Sequence, residues 1–104
     1  MLIAIPVDRG DSKDAKISPR MMAKLWALVD FDGGVIQDIN FVDSFEEAFD
    51  RSGWVDFVVL DNKFENYIDI MEYGSMVLVR RAGQDSIDLI IEGFKFKELD
   101  EIGL

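Results

Sequence analysis

Residues 24–43 read KLWALVDFDGGVIQDINFVD. Two runs rich in Val, Ile, Leu and aromatic residues, 24–32 and 35–43, flank Gly33-Gly34, and a glycine pair supplies the positive-φ positions that a two-residue hairpin turn requires. An antiparallel hairpin is therefore predicted. Upstream, LIAIPV at 2–7 is a short unbroken apolar run. It predicts a strand buried on both faces and hence central, with Pro6 near its end, where a missing N–H does least harm.

Downstream, Ser44 is followed three residues later by Glu47, the spacing of a capping box, and Gly53 suits a helix C-terminus, which predicts a helix over 44–52. WVDFVVLD (54–61) has strand composition. KFENYIDIMEYG (63–74) places Phe64, Tyr67, Ile68 and Met71 at helical spacing before Gly74. SMVLVRRA (75–82) predicts a strand, and SIDLIIEGFKFKEL (86–99) a helix capped by Asp85 or Ser86, with Ile87, Ile90, Ile91, Phe94 and Leu99 on one side. Gly93 weakens the middle of that helix. Phe94 and Phe96, two apart, do not share a face, so one of them is a candidate exposed oligomer contact. The expected order is βββαβαβα: an α/β fold with a mixed sheet covered by helices, in one domain spanning 1–104. No repeat, low-complexity tract or linker interrupts it.

Composition bounds the function. The chain has 104 residues, 49% hydrophobic, with 21 acidic and 11 basic residues and a net charge of −10. A field of that sign repels phosphate backbones and anionic lipid surfaces, so neither nucleic acid nor membrane is an expected partner. Arg80-Arg81 is a weak basic patch, because neighbouring strand residues point to opposite faces. There is no Cys and no His. These absences exclude disulfides, thiolate metal sites and cysteine-ligated clusters, and remove the usual general base near neutral pH. Nothing approaches the roughly 18 apolar residues of a membrane span, and no basic-then-apolar leader opens the chain, so a soluble cytoplasmic protein is expected.

The stretch 8–26, DRGDSKDAKISPRMMAKLW, is a long polar excursion for so small a chain. Ordering it costs entropy, so it is either functional or disordered. If the first strand lies between the second, antiparallel, and the fourth, parallel, then the 8–23 loop and Asp61-Asn62-Lys63 share one edge, joined by the 83–85 turn if the fifth strand is also parallel. Ligands of open α/β sheets bind outside the carboxyl ends of the strands, which makes that edge the candidate site.

LIAIPVD, the loop reaching ISPRMMAKLWALVDFDGG, VIQDINFVD and WVDFVVLD together resemble the dinitrogenase iron-molybdenum cofactor biosynthesis family, the NifX-like proteins and the C-terminal part of NifB. The resemblance covers nearly the whole chain. It implies a ribonuclease H-like fold and a non-enzymatic carrier or accessory role, with an iron-sulfur or iron-molybdenum cluster as the bound species; a protein partner is a further expectation. The family's loop carries Ser-x-His-Phe-Gly where this chain has Ser18-Pro19-Arg20-Met21-Met22, so Arg20 stands at the family's His. After the fourth strand, Asp61-Asn62-Lys63 replaces the family's Gly-x-Gly, and without glycine the backbone approaches a ligand less closely. The candidate ligand-binding residues are accordingly Asp8, Ser18, Arg20, Met21, Met22, Asp61 and Asn62, with no metal ligand assigned.

Each also has a plainer reading. Met21 and Met22 can offer thioethers to a soft metal or simply form an adaptable surface. Arg20 can clamp an anion or make an ion pair. Asp8, Asp61 and Asp85 suggest an alternative, a Mg²⁺- or Mn²⁺-dependent hydrolase of ribonuclease H-like architecture, although Asp at strand ends also suits turns and caps. DSFEEAFD is a docking face or, more simply, the solvated side of a short helix.

Overall fold

The chain's alternation of strand and helix patterns resolves, in a computed structural model describing residues 1–102, into one six-stranded mixed sheet with three helices. The strands are β1 (Leu2–Val7), β2 (Leu25–Asp32), β3 (Val35–Val42), β4 (Phe57–Leu60), β5 (Met76–Val79) and β6 (Asp100–Glu101), in the spatial order β3-β2-β1-β4-β5-β6. β1 pairs antiparallel with β2 and parallel with β4, which gives it the central place its unbroken apolar run predicted. Its residues alternate between two cores: Ile3, Ile5 and Val7 face one, and Ala4 the other.

The β2–β3 hairpin turns on Gly33 (φ 61°) and Gly34 (φ 82°), the conformation that only glycine adopts without cost. Helix α1 (Phe45–Ser52) begins at Ser44, whose hydroxyl accepts the Glu47 N–H, while a Glu47 carboxylate oxygen accepts from the Asp43 N–H. α1 and α2 (Ile68–Glu72) cover the face holding Ala4, Val58 and Leu60. On the other face α3 (Ile87–Lys95), capped by the Ser86 hydroxyl accepting the Leu89 N–H, packs Ile87, Ile90 and Ile91 on Ile3, Ile5 and Val59.

Several sequence expectations are corrected. The helix expected over 63–74 shrinks to Ile68–Glu72, because Asn62 and Asn66 side chains accept from the Phe64 and Ile68 N–H groups and hold residues 62–67 in turns. Phe64 then lies outside any helix, 86% exposed, and Ile68 is exposed too. The helix expected over 86–99 stops at Lys95, since Lys97 takes a left-handed φ of 59°, though Leu99 still reaches the same core. The strands expected over 54–61 and 75–82 are confined to Phe57–Leu60 and Met76–Val79. A short sixth strand, Asp100–Glu101, was not expected; it adds antiparallel to β5. Among the described residues no helix is long and apolar enough to cross a membrane.

Candidate functional site

The 8–23 segment is ordered by its backbone, which answers the question its polarity raised. The Asp8 N–H donates to Lys16 O, Ser18 N–H to Pro6 O, Lys24 N–H to Val7 O and Ile17 N–H to Asp85 O. Ala15 drops fully into the core. The excursion is thus stitched to the end of β1 and to the turn before α3, and the edge inferred from strand order exists.

At that edge the loop meets residues 62–69. Arg20 donates through both terminal nitrogens to the Asp69 carboxylate, at 2.8 and 2.9 Å, and also to Asn66 O at 2.8 Å. Its guanidinium carbon lies 5.9 Å from the Trp26 ring centroid. The Asp69 hydrogen bond raises the Arg20 pKa further above its already high value, and Arg20 in turn, by that same bond, holds the Asp69 carboxyl below the ordinary carboxylate range. Glu65 ties the two segments together: one carboxylate oxygen accepts the Arg20 N–H and the other the Asp61 and Asn62 N–H groups.

Between the segments lies a cavity of about 510 Å³, lined among others by Arg20, Met21, Met22, Asn62, Phe64 and Glu65. Met21 (95% exposed), Met22 (75%) and Phe64 stand out from its rim. Of the residues expected at a site, this cavity gathers Arg20, Met21, Met22 and Asn62. Asp61 belongs with Asn62 to an adjoining cavity of about 490 Å³, where its carboxylate accepts from Arg80 at 2.8 Å. Ser18 lines neither cavity; its hydroxyl donates to Pro19 O. Asp8 also lies outside both, accepting the Lys16 N–H.

The three carboxylates of the hydrolase reading do not converge. Arg80 bridges Asp61 and Asp85, both at 2.8 Å, and Asp8 is occupied within its own loop. Among the described residues no group of three or more Asp, Glu, His or Cys side chains is placed to hold a metal ion.

Sequence reading missed Glu65, Asp69 and Phe64. The signal lay in Asp61-Asn62 followed by Glu65 and Asn66, polar residues able to cap their own backbone, which the apolar spacing of 63–74 overrode.

Neither a protein-family model nor a curated protein sequence matches the chain. Solved structures do. A protein of Methanococcus jannaschii provisionally named a dinitrogenase is 22% identical, with TM-score 0.77 over 100% of this chain and 94% of that one. A Thermotoga protein provisionally named NifB is 17% identical, with TM-score 0.72 over 96% and 91%. The apo form of the orange protein from Desulfovibrio gigas is 14% identical, with TM-score 0.75 over 98% and 92%. The chain shares their fold. At these identities the likeness carries the arrangement of the sheet and helices, and the residues of the edge must be read on their own.

Proposed function

We propose that this chain is a non-enzymatic accessory protein of the nitrogenase-cofactor type, acting through protein contacts and not by ligating a cluster on its own side chains. The proposal is supported by the resemblance of residues 2–61 to the cofactor-biosynthesis family and by the fold shared with proteins named for dinitrogenase and NifB. The observation that carries its second half is Arg20. A guanidinium stays protonated and offers no lone pair to iron, and this one is already committed to Asp69 and Asn66.

The remaining donors do not fit a cluster. Iron-sulfur clusters are held by thiolates, with imidazole as the occasional substitute, and the chain has neither. Met21 and Met22 are adjacent, solvent-exposed thioethers with no such partner beside them. With Phe64 they form an exposed, deformable apolar rim, the kind of surface that suits contact with another protein.

Anaerobic incubation with iron and sulfide, followed by desalting, tests this reading by visible absorption and iron analysis. The expected result is no chromophore and iron far below one atom per chain. A stable sulfide-containing chromophore in stoichiometric amount would overturn it in favour of a cluster carrier. Calorimetric titration with Mn²⁺ is expected to show no saturable heat; a saturable heat abolished by Asp61→Asn would restore the carboxylate-metal hydrolase.

A further inference from the structure

At the opposite end of the sheet from the 8–23 loop lies another concavity, of about 540 Å³, lined by Phe31, Phe57, Leu78, Phe94, Leu99, Lys95, Lys97 and Glu101. Its floor is aromatic. Phe94 packs edge-on to Phe31 at 5.8 Å and to Phe57 at 4.9 Å between centroids, and all three rings are only partly buried. A register shift between Asp30 and Phe31 in the β2–β3 pairing sets the Phe31 position, as bulges that re-aim one side chain do.

Its mouth carries two lysines, Lys95 and Lys97, beside one acid, Glu101, in a chain where acidic residues outnumber basic ones nearly two to one. Lys95 and Lys97 take part in no ion pair among the described residues, and the Lys95 ammonium stands 5.6 Å from the Phe96 ring centroid, outside the hollow's lining. The C-terminal end of a helix dipole is reason enough for a lysine at position 95. It does not explain Lys97. The N–H of Glu98 donates to Gly93 O and that of Lys97 to Phe94 O, closing α3 with the paired hydrogen bonds whose left-handed residue is normally glycine. Here that residue is Lys97, at φ 59°. A non-glycine residue in the conformation that favours glycine, at the rim of an aromatic hollow, points to use.

We propose that this hollow is a binding site for a small apolar carboxylate, an aromatic or branched aliphatic acid, whose body lies on Phe31, Phe57 and Phe94 and whose carboxylate accepts hydrogen bonds from the Lys95 and Lys97 ammonium groups. The volume falls in the range of small-molecule sites, and an apolar lining with a few convergent polar groups is their usual make-up. The site is independent of the edge that carries the proposed accessory function.

The test is titration of the ¹⁵N-labelled chain with 2-naphthoate, with the neutral 2-naphthalenemethanol as control, followed by amide shifts. Saturable naphthoate shifts are expected, centred on Phe31, Phe57, Phe94 and Leu99, with the alcohol binding about tenfold more weakly for want of charge-assisted hydrogen bonds. Lys97→Gly relieves the strained turn, so it is expected to fold and to unfold at a higher temperature while weakening naphthoate about tenfold. Lys95→Gln is expected to weaken it similarly. No saturable shift, equal binding of acid and alcohol, or undiminished naphthoate binding in both variants would each overturn the proposal.

Discussion

Arg20 shows how one side chain serves the fold where the resembling family implies a ligand. Its planar fork matches the Asp69 carboxylate in a bidentate pair, a geometry the point charge of a lysine does not reproduce. Arg20→Lys is therefore expected to lower stability by about 1 kcal/mol in urea unfolding. Asp69 adds a pH signature. Its carboxyl is held below the ordinary range in the folded chain, so the pair's contribution is present above the unfolded-state value of about 4 and fades as pH falls through the lower folded value. The stability difference between the wild type and Asp69→Asn is expected to be largest near neutral pH and to shrink below about pH 4. Met21, Met22 and Phe64 are the converse case. Exposed as they are, replacing all three with Ser is expected to change stability by less than about 1 kcal/mol, since they serve a surface and not the core.

At the scale of elements, the ends decide more than the middles. Ser44 and Glu47 define the start of α1, and Ser44→Ala is expected to cost about 1 kcal/mol, read as a drop in the thermal midpoint. This cap was legible in the sequence because its two halves sit three residues apart. The segment 63–74 was not legible. Its apolar spacing suggested a longer helix, but Asn62 and Asn66 satisfy local N–H groups and Glu65 spends both carboxylate oxygens on backbone, which delays the helix to Ile68. Gly93 looked like a weakness in α3. A Cβ there would crowd the Gln84 side-chain amide, which donates to Glu98 O, so a side chain at 93 would have to displace that amide.

For the molecule as a whole, β1 is the axis. It is hydrogen-bonded on both sides and contributes to both cores, whereas β6 is a two-residue edge and residues 62–67 are held by side-chain caps. Native-state hydrogen exchange is expected to find the amides of Ile3, Ala4 and Ile5 the slowest, and those of 62–67 and Asp100–Glu101 among the fastest. Faster exchange in β1 than in β6 would mean that the sheet opens from its centre, contrary to this packing.

Local signals determined the hairpin at Gly33-Gly34, the central place of LIAIPV, the capped helix after Ser44 and, through strand order, the edge on which the long loop falls. They also determined that no thiolate or imidazole is available anywhere in the chain. Only the tertiary structure decided which side chains meet at that edge. That Arg20 pairs with Asp69, that Arg80 stands between Asp61 and Asp85, and that Phe94 joins Phe31 and Phe57 in one hollow all depend on contacts between residues far apart along the chain. Periodicity and propensity carry no distance information across such separations, so these meetings follow from packing alone.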